Sequence, residues 1–506
     1  MKKLICLLLV LLLVAGGALA QEGETPQDVQ MQRADMSSYL VILHTNDLQG
    51  DPNAGLGLSS VRWARERFEQ AGAAVLLLDA GNWLAGSEAS WLDRGEGMTR
   101  LMREAGYCAA AVSAGEFAFG IDRLRELRLT AGEMRLPGDS IQTGGDSLER
   151  TVVLEDVAGL KVGLFSIASE AAPAQNPRTA TEGCAFVEPL TAARTSVQAL
   201  EDQACDLIIA LCSAGDEAAR RVASEVDGID LMLCSGGSAF VGGEWSASGT
   251  LLAQAGSALS SIGCVVIDSQ GNATALSLDE TYFEERAEDA AFEECLIEVL
   301  AAQQARRTEP LATLTASLSG ENSGAAQTVL GSWAADAVRV RTGANVALLS
   351  GACIGASLPA GEISRQTVLE AFSSDTTVSV AARSGAQLKT LLEQAVSAYP
   401  EASEHFLQLS GLTFSFDPAQ PAGQRVHSVT VNGEPLDDGT TYEVALTEDL
   451  GPAGEYQYGP LSRLLADALA DGQATFSDQP MEARINEASM PTPEPETDAT
   501  ETPANG

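Results

Sequence analysis

The chain has 506 residues, 45% of them hydrophobic, and a formal charge of −40 at neutral pH. That length suits two or three domains, and that hydrophobic fraction excludes a disordered chain. A polyanion of this size repels nucleic acid and anionic lipid, so a nucleotide site in it needs a local cluster of Arg, Lys or metal ions.

In chain order, Lys2 and Lys3 precede an apolar run from Leu4 to Val14, which closes on Gly-Gly-Ala-Leu-Ala20. A basic start, a short apolar core and an Ala-x-Ala site predict a signal peptide over residues 1–20. A secreted, extracytoplasmic location follows from it. Residues 21–37 read as a flexible polar leader. Tyr39–His44 is a strand-like run that ends in the turn-like Thr45-Asn46-Asp47. A helix is expected over Leu58–Ala71, and Ala74–Leu78 is a continuous apolar strand of the kind buried on both faces. Further strands are expected at Tyr107–Val112, Val162–Ile167, Asp206–Leu211 and Ile229–Cys234, with helical patterns between many of them. Alternation of this kind means an α/β sheet, with ligands bound past the C-terminal ends of the strands.

Glu284–Arg307 reads as one helix, without Gly or Pro, that separates a first block from a second. The second block shows helices near Leu330–Val340 and Gly385–Ser397. It shows strands at Asn345–Ser350, Thr413–Phe416, Val426–Val431 and Tyr442–Ala445. Asn432-Gly433 is a turn signal between the last two, in a connection longer than the tightest hairpin. From Met490 the chain is rich in Pro, Thr and Glu and reads as a disordered tail without an anchor. No stretch after the signal is long and apolar enough to span a membrane.

Eight cysteines remain beyond Cys6: Cys108, Cys184, Cys205, Cys212, Cys234, Cys264, Cys295 and Cys353. None forms a Cys-x-x-Cys pair. Several sit in strand-like runs, where the favoured reading is a small buried hydrophobe. Pairing after export stays open, and the spacing does not say which would pair.

The segments His44-Thr45-Asn46-Asp47-Leu48-Gln49-Gly50, Leu76–Asn82, Ser113–Gly120, Ile208–Gly215 and Asp230–Ala239 resemble, in order and spacing, five motifs. They are those of the bacterial 5′-nucleotidase/UDP-sugar hydrolase family, a branch of the calcineurin-like metallophosphoesterases. Leu330-Gly331, Leu358–Ile363 and Phe406–Leu412 resemble the same family's C-terminal domain. The resemblance implies an α/β fold made of a four-layer metallophosphoesterase-like sandwich over residues 38–283, a linker helix over 284–308 and a smaller C-terminal α/β domain over 309–485. A tail over 486–506 would follow. It also implies metal-dependent hydrolysis of nucleotide phosphoesters by two divalent ions that share a bridging carboxylate.

The positions that would hold those ions are mostly substituted. The first Asp ligand corresponds to Asp47. The His two residues later is Gln49, the bridging Asp is Asn82, and the Asn of the third motif is Ala114. The catalytic His corresponds to Gly115. The later His ligands fall at Ser213, Gly236 and Ser238. The chain has three His in all, His44, His405 and His427, and the family's site uses five. A neutral amide at Asn82 cannot screen two dications from each other, so the family's metal pair is not expected to bind. A weak single-ion site at Asp47, Gln49, Asn82 and Asp51 is conceivable. The favoured reading is that these are hydrogen-bonded loop residues.

In the second block, the family's Asn-Gly-Gly-Gly-Ile-Arg appears as Ser350-Gly351-Ala352-Cys353-Ile354-Gly355, which places Gly355 at the Arg. Phe372 and Tyr456 or Tyr458 stand where the family stacks a nucleobase, with core or loop packing as the preferred alternative. The expectation is therefore an exported, catalytically inactive or weak relative that binds a nucleotide-like or other small ligand. It binds no nucleic acid, and no protein partner is specified. The enzymatic rival is a phosphoesterase with a carboxylate-only metal site built from Asp47, Asp79, Glu116 and Glu88.

Overall fold

A computed structural model describes residues 35–144, 148–284, 289–373, 376–452, 454–473, 476 and 481–490. The expected signal peptide and all but the last three residues of the leader lie outside these residues, as does the tail from 491. The chain divides into two compact units between Arg307 and Thr308. Among the described residues no helix is long and apolar enough to cross a membrane.

The N-terminal unit contains β1 (Leu40–Thr45), α1 (Leu58–Gln70), β2 (Ala74–Asp79), α2 (Glu88–Asp93), α3 (Glu96–Ala105), β3 (Ala109–Ala110), α4 (Ile121–Ala131), β4 (Ile141–Thr143), β5 (Val152–Val157) and β6 (Leu160–Ala168). There follow β7 (Cys184–Phe186), α5 (Pro189–Glu201), β8 (Leu207–Ser213), α6 (Asp216–Glu225), β9 (Leu231–Cys234), β10 (Glu244–Trp245), β11 (Leu251–Gln254), β12 (Ile262–Ile267), β13 (Ala273–Leu278) and α7 (Ala290–Thr308). One sheet has the order β13-β12-β1-β2-β3 and a second the order β10-β11-β9-β8-β6-β5. Side chains alternate across each strand, so each sheet has two faces to bury. Leu40, Ile42, Leu76 and Leu78 meet Leu164, Ile209, Leu211 and Leu233 between the sheets. Val41, Leu43 and Leu77 face α1 and α3 through Val61, Phe68 and Leu101. Phe165, Ala210 and Met232 face α5 and α6 through Val197 and Val222. Helices, sheet, sheet and helices make the four layers that the family resemblance implies.

Three local expectations differ from the fold. The strand expected over 107–112 shrinks to the two residues of β3 at the sheet edge, where Ala111 N–H still donates to Asp79 O at 2.9 Å. The linker helix begins at Ala290 rather than Glu284, after a short 3₁₀ turn over Glu280–Phe283. Its Phe292, Cys295, Leu296 and Val299, spaced as one helical face, join the core of the N-terminal unit. Gln303 on the same helix donates to buried Asp93 at 2.7 Å. This helix is thus packed as part of the N-terminal unit.

The C-terminal unit contains β14 (Pro310–Leu314), α8 (Val329–Thr342), β15 (Val346–Ser350), β16 (Gly361–Ser364), α9 (Arg365–Ala371), β17 (Thr377–Ser384), α10 (Gly385–Ala395), β18 (Leu407–Ser410) and β19 (Leu412–Phe416). It ends with β20 (Val426–Val431), β21 (Glu434–Pro435), β22 (Thr441–Thr447), β23 (Tyr456–Pro460), α11 (Leu461–Ala470) and β24 (Ile485–Glu487). Its main sheet runs β18-β15-β22-β17-β23, beside a four-stranded sheet β21-β20-β19-β24. Asn432-Gly433 closes a two-residue hairpin between β20 and β21, with Val431 opposite Glu434 and both turn residues at positive φ (51° and 87°). The expected partner, β22, pairs with β15 and β17 instead. Strand β24, paired with β19, carries ordered chain two residues past the boundary expected at 485.

Candidate functional site: a hydrogen-bonded hub at the strand ends

The loops after β1, β2, β3, β8 and β9 carry the five motifs. Asp47, Gln49 and Asn82 all adopt positive φ (52°, 52° and 58°), a region that Asn and Asp enter most readily. Gly81 (φ 116°) is required by space, since a Cβ there would lie 3.0 Å from Ser113 Cβ and 3.2 Å from Ser213 Cβ.

Asp47 is 6% exposed, and its carboxylate accepts three N–H groups. Oδ1 accepts from Asn82 Nδ2 at 2.9 Å, and Oδ2 accepts from Asn46 Nδ2 and Gly236 N, both at 2.8 Å. The other end of the Asn82 amide is also fixed. Its Oδ1 accepts from Ser113 Oγ at 3.0 Å and from Gly115 N at 3.2 Å. The carboxylate can only accept and the Gly115 amide can only donate, so the network sets which way Asn82 points.

The chemistry of these donors does not fit the metal pair implied by the family resemblance. A divalent ion needs oxygen lone pairs, whereas Asn82 turns its NH₂ toward Asp47, whose own oxygens are engaged by N–H groups. Gly115 and Gly236 supply only backbone N–H to the cluster, and Ala114 supplies its carbonyl to Asn176 Nδ2 at 2.8 Å. Ser213 Oγ donates to Ile167 O at 3.3 Å. Gln49 and Ser238 are exposed. Asp51 accepts from Asn53 N at 2.9 Å within its own turn. The structure therefore joins Asp47, Asn82, Gly115 and Gly236 into one network, to which Gln49 adds only its backbone N–H, donated to Asn82 O at 2.9 Å, and which leaves Ser238 and Asp51 outside.

Glu116 and Asp79, the buried carboxylates at the ends of β3 and β2, accept backbone N–H groups. Glu116 is fully buried and accepts from Trp83 N (2.9 Å), Leu84 N (3.2 Å) and Ser113 N (2.8 Å). Ser113 Oγ and Asn82 N complete its shell. Burial raises the Glu116 carboxyl above its ordinary range, opposed by those hydrogen bonds. Asp79 accepts from Thr45 Oγ1 at 2.6 Å and Gly81 N at 2.7 Å, and burial lifts its carboxyl well above the usual value. Glu88 pairs with Arg307. These carboxylates do not converge, and among the described residues no three His, Cys, Asp or Glu side chains come together as metal ligands. His44, on β1, is buried against Gly263, where a Cβ would fall 2.1 Å from its Cε1. Burial pulls its imidazole down to about 3, so it is neutral near neutral pH.

Asn46 and Ser113 lie within the motifs and are central to the network. Asn46 Oδ1 also accepts from Ala255 N at 2.8 Å, a partner 209 residues away that no local pattern reveals. Beside these loops, past the ends of β6 and β8, lies a cavity of about 310 Å³ lined by Ser169, Glu170, Glu188, Leu190, Ala214 and Arg221. Arg221 is already paired with Glu188 and Glu225.

In the C-terminal unit the aromatic candidates pack in or against the core, the reading preferred over stacking platforms. Phe372 is 2% exposed and bridges Ile354. Tyr458 is buried and donates its hydroxyl to Thr342 O at 3.2 Å. Tyr456 is half-buried against the same core. Gly355 is exposed, and a Cβ there would meet only Ala371 O, at 3.8 Å. Gln408, 0% exposed, holds the 320s loop by accepting from Thr328 N (2.9 Å) and donating to Ser323 O (2.9 Å) and Ala326 O (2.8 Å).

Comparison with known proteins agrees with this architecture. Residues 305–455 match the family model of the 5′-nucleotidase C-terminal domain. The chain is 25% identical over 482 residues to the trifunctional nucleotide phosphoesterase protein YfkN of Bacillus subtilis (strain 168), covering 82% of this chain and 32% of that protein. It spans about a third of the length of the curated relatives it matches. Among solved structures, Haemophilus influenzae NAD nucleotidase superposes with a TM-score of 0.70 at 15% identity, covering 89% of this chain and 99% of that one. A 5′-nucleotidase precursor from Thermus thermophilus superposes with a TM-score of 0.53 at 22% identity, covering 90% and 100%. The chain has the two-domain fold of the 5′-nucleotidases and resembles that family across both of its units.

Proposed function

We propose that this chain is an exported 5′-nucleotidase-like protein without phosphoesterase activity, or with very little, that acts as a binding protein for a small ligand. One observation carries the reading: the single metal-ligand position kept in kind, Asp47, has its oxygens engaged by N–H groups from Asn46, Asn82 and Gly236. Catalysis in the resembled family rests on metals that activate water and clamp phosphate. The carboxylate-only rival is disfavoured because Asp79, Glu116 and Glu88 each satisfy other partners. The cavity past the ends of β6 and β8 supports a binding role at the strand ends. Its one cation, Arg221, is already paired, which favours a ligand that does not carry the charge of a nucleoside polyphosphate.

The test is turnover of nucleoside monophosphates, UDP-sugars and a chromogenic phosphodiester by the purified mature protein in excess Mn²⁺, Zn²⁺, Mg²⁺ or Ca²⁺. The expected rate equals that of a chelated control. Metal-dependent turnover that disappears in Asp47→Ala would overturn the proposal.

A further inference from the structure

Of the eight cysteines in the described chain, all are free thiols, and one pair shares a register. Cys212 on β8 lies directly opposite Cys234 on β9 in a parallel ladder. Ser235 N donates to Cys212 O at 2.9 Å just beyond the pair and fixes that alignment. Both side chains are on the helix-facing side of the sheet, in the cluster with Ala210, Met232 and Val222, and they are 1% and 2% exposed. Neighbouring strands lie about 4.8 Å apart. That spacing falls inside the roughly 4.4–6.8 Å Cα window of a disulfide. By contrast, Cys184 faces Thr143, and Cys264 faces Leu43 and Leu276.

We infer that Cys212 and Cys234 are a disulfide-forming pair that cross-links the ends of β8 and β9 in an oxidising environment. In this structure Cys234 Sγ donates to Met232 O at 3.8 Å, so closure turns that side chain toward Cys212. The oxidant is a small-molecule disulfide. One cysteine thiolate attacks it, forming a mixed disulfide and releasing one small thiol. The second cysteine thiolate attacks the protein sulfur of that mixed disulfide, forming the Cys212–Cys234 bond and releasing the second small thiol. The protein loses two protons and two electrons, which the two released thiols carry. The bond lies one residue before Ser213 and two before Gly236, whose N–H holds Asp47. Oxidation therefore ties together the two strands that feed the hub.

The experiment is refolding of the full chain from urea in a buffer of oxidised and reduced glutathione, which removes burial as a kinetic obstacle. Unreduced peptide mapping by mass spectrometry follows. The expected result is a 212–234 cross-linked peptide as the main disulfide, two fewer free thiols, and a Tm several degrees higher that reverts with reductant. Cys234→Ala should refold without that oxidant-dependent rise. Cysteines 212 and 234 found free or glutathione-capped at equilibrium, or cross-linked mainly to other cysteines, would overturn the inference.

Discussion

The two units hold their candidate site residues in opposite ways. In the N-terminal unit the strand-end loops are held by polar groups, with Asp47, Asn82, Ser113 and Glu116 satisfying one another and the backbone. In the C-terminal unit the candidate aromatics lie in the core, where Phe372 and Tyr458 pack with Leu330, Val368 and Leu461. A loop lined with backbone N–H groups needs acceptors once it is buried, whereas an aromatic ring needs only apolar neighbours. The difference shows how one scaffold can fill ligand positions either with hydrogen bonds or with hydrophobic burial, depending on what lines the wall.

Mutations can separate these two kinds of closure. Phe372→Ala should cost about 3–5 kcal/mol in urea denaturation, as expected for a large core aromatic. A platform for a bound ring would instead leave stability nearly unchanged. Glu116→Ala should cost about 3–4 kcal/mol, because the N–H groups of Trp83, Leu84 and Ser113 would lose their shared buried acceptor at once. Glu116→Gln should cost less, since one amide oxygen still accepts. Asp47→Ala should cost about 2 kcal/mol by releasing three donors. In a metal enzyme its main effect would fall on turnover.

The pH dependence of stability sharpens the same contrast. His44 is buried neutral, with its folded value near 3 and its ordinary value at 6.5. Below 6.5 the unfolded chain therefore binds a proton that the folded chain refuses. The stability contribution of neutral His44 is present above 6.5 and is lost as pH falls toward 3, at about 1.4 kcal/mol per pH unit. Asp79 and Glu116, raised by burial, act with the opposite sign. Their stabilising protonated forms are lost as pH rises above the usual carboxylate range. His44→Leu should remove about one proton from the acid-side slope in pH-resolved urea titrations. The smallest effect is expected for Tyr458→Phe, which loses only the hydroxyl bond to Thr342, about 1 kcal/mol.

Much of the layering was legible in the sequence because strands buried on both faces write continuous apolar runs, as in Ala74–Leu78 and Val162–Ile167. The scarcity of imidazoles was legible from the three His in the chain. The hub itself was not. Its partners come from five loops, and the Asn46 link to Ala255 and the Asp47 link to Gly236 join residues about two hundred positions apart. The Asn432-Gly433 turn was recognised, but its partner strand was not, because two-residue β21 carries too little pattern to register. Nor did the cysteine spacing single out Cys212 and Cys234, since only the register of a parallel ladder places them side by side.

The central claim is that Asp47 holds loops through hydrogen bonds and does not hold a metal ion. Elemental analysis of the natively purified protein tests it most directly, beside Asp47→Ala prepared in the same way. Metal far below one ion per chain in both samples is the predicted result. Near-stoichiometric transition metal in the wild type that is lost in the variant would contradict it.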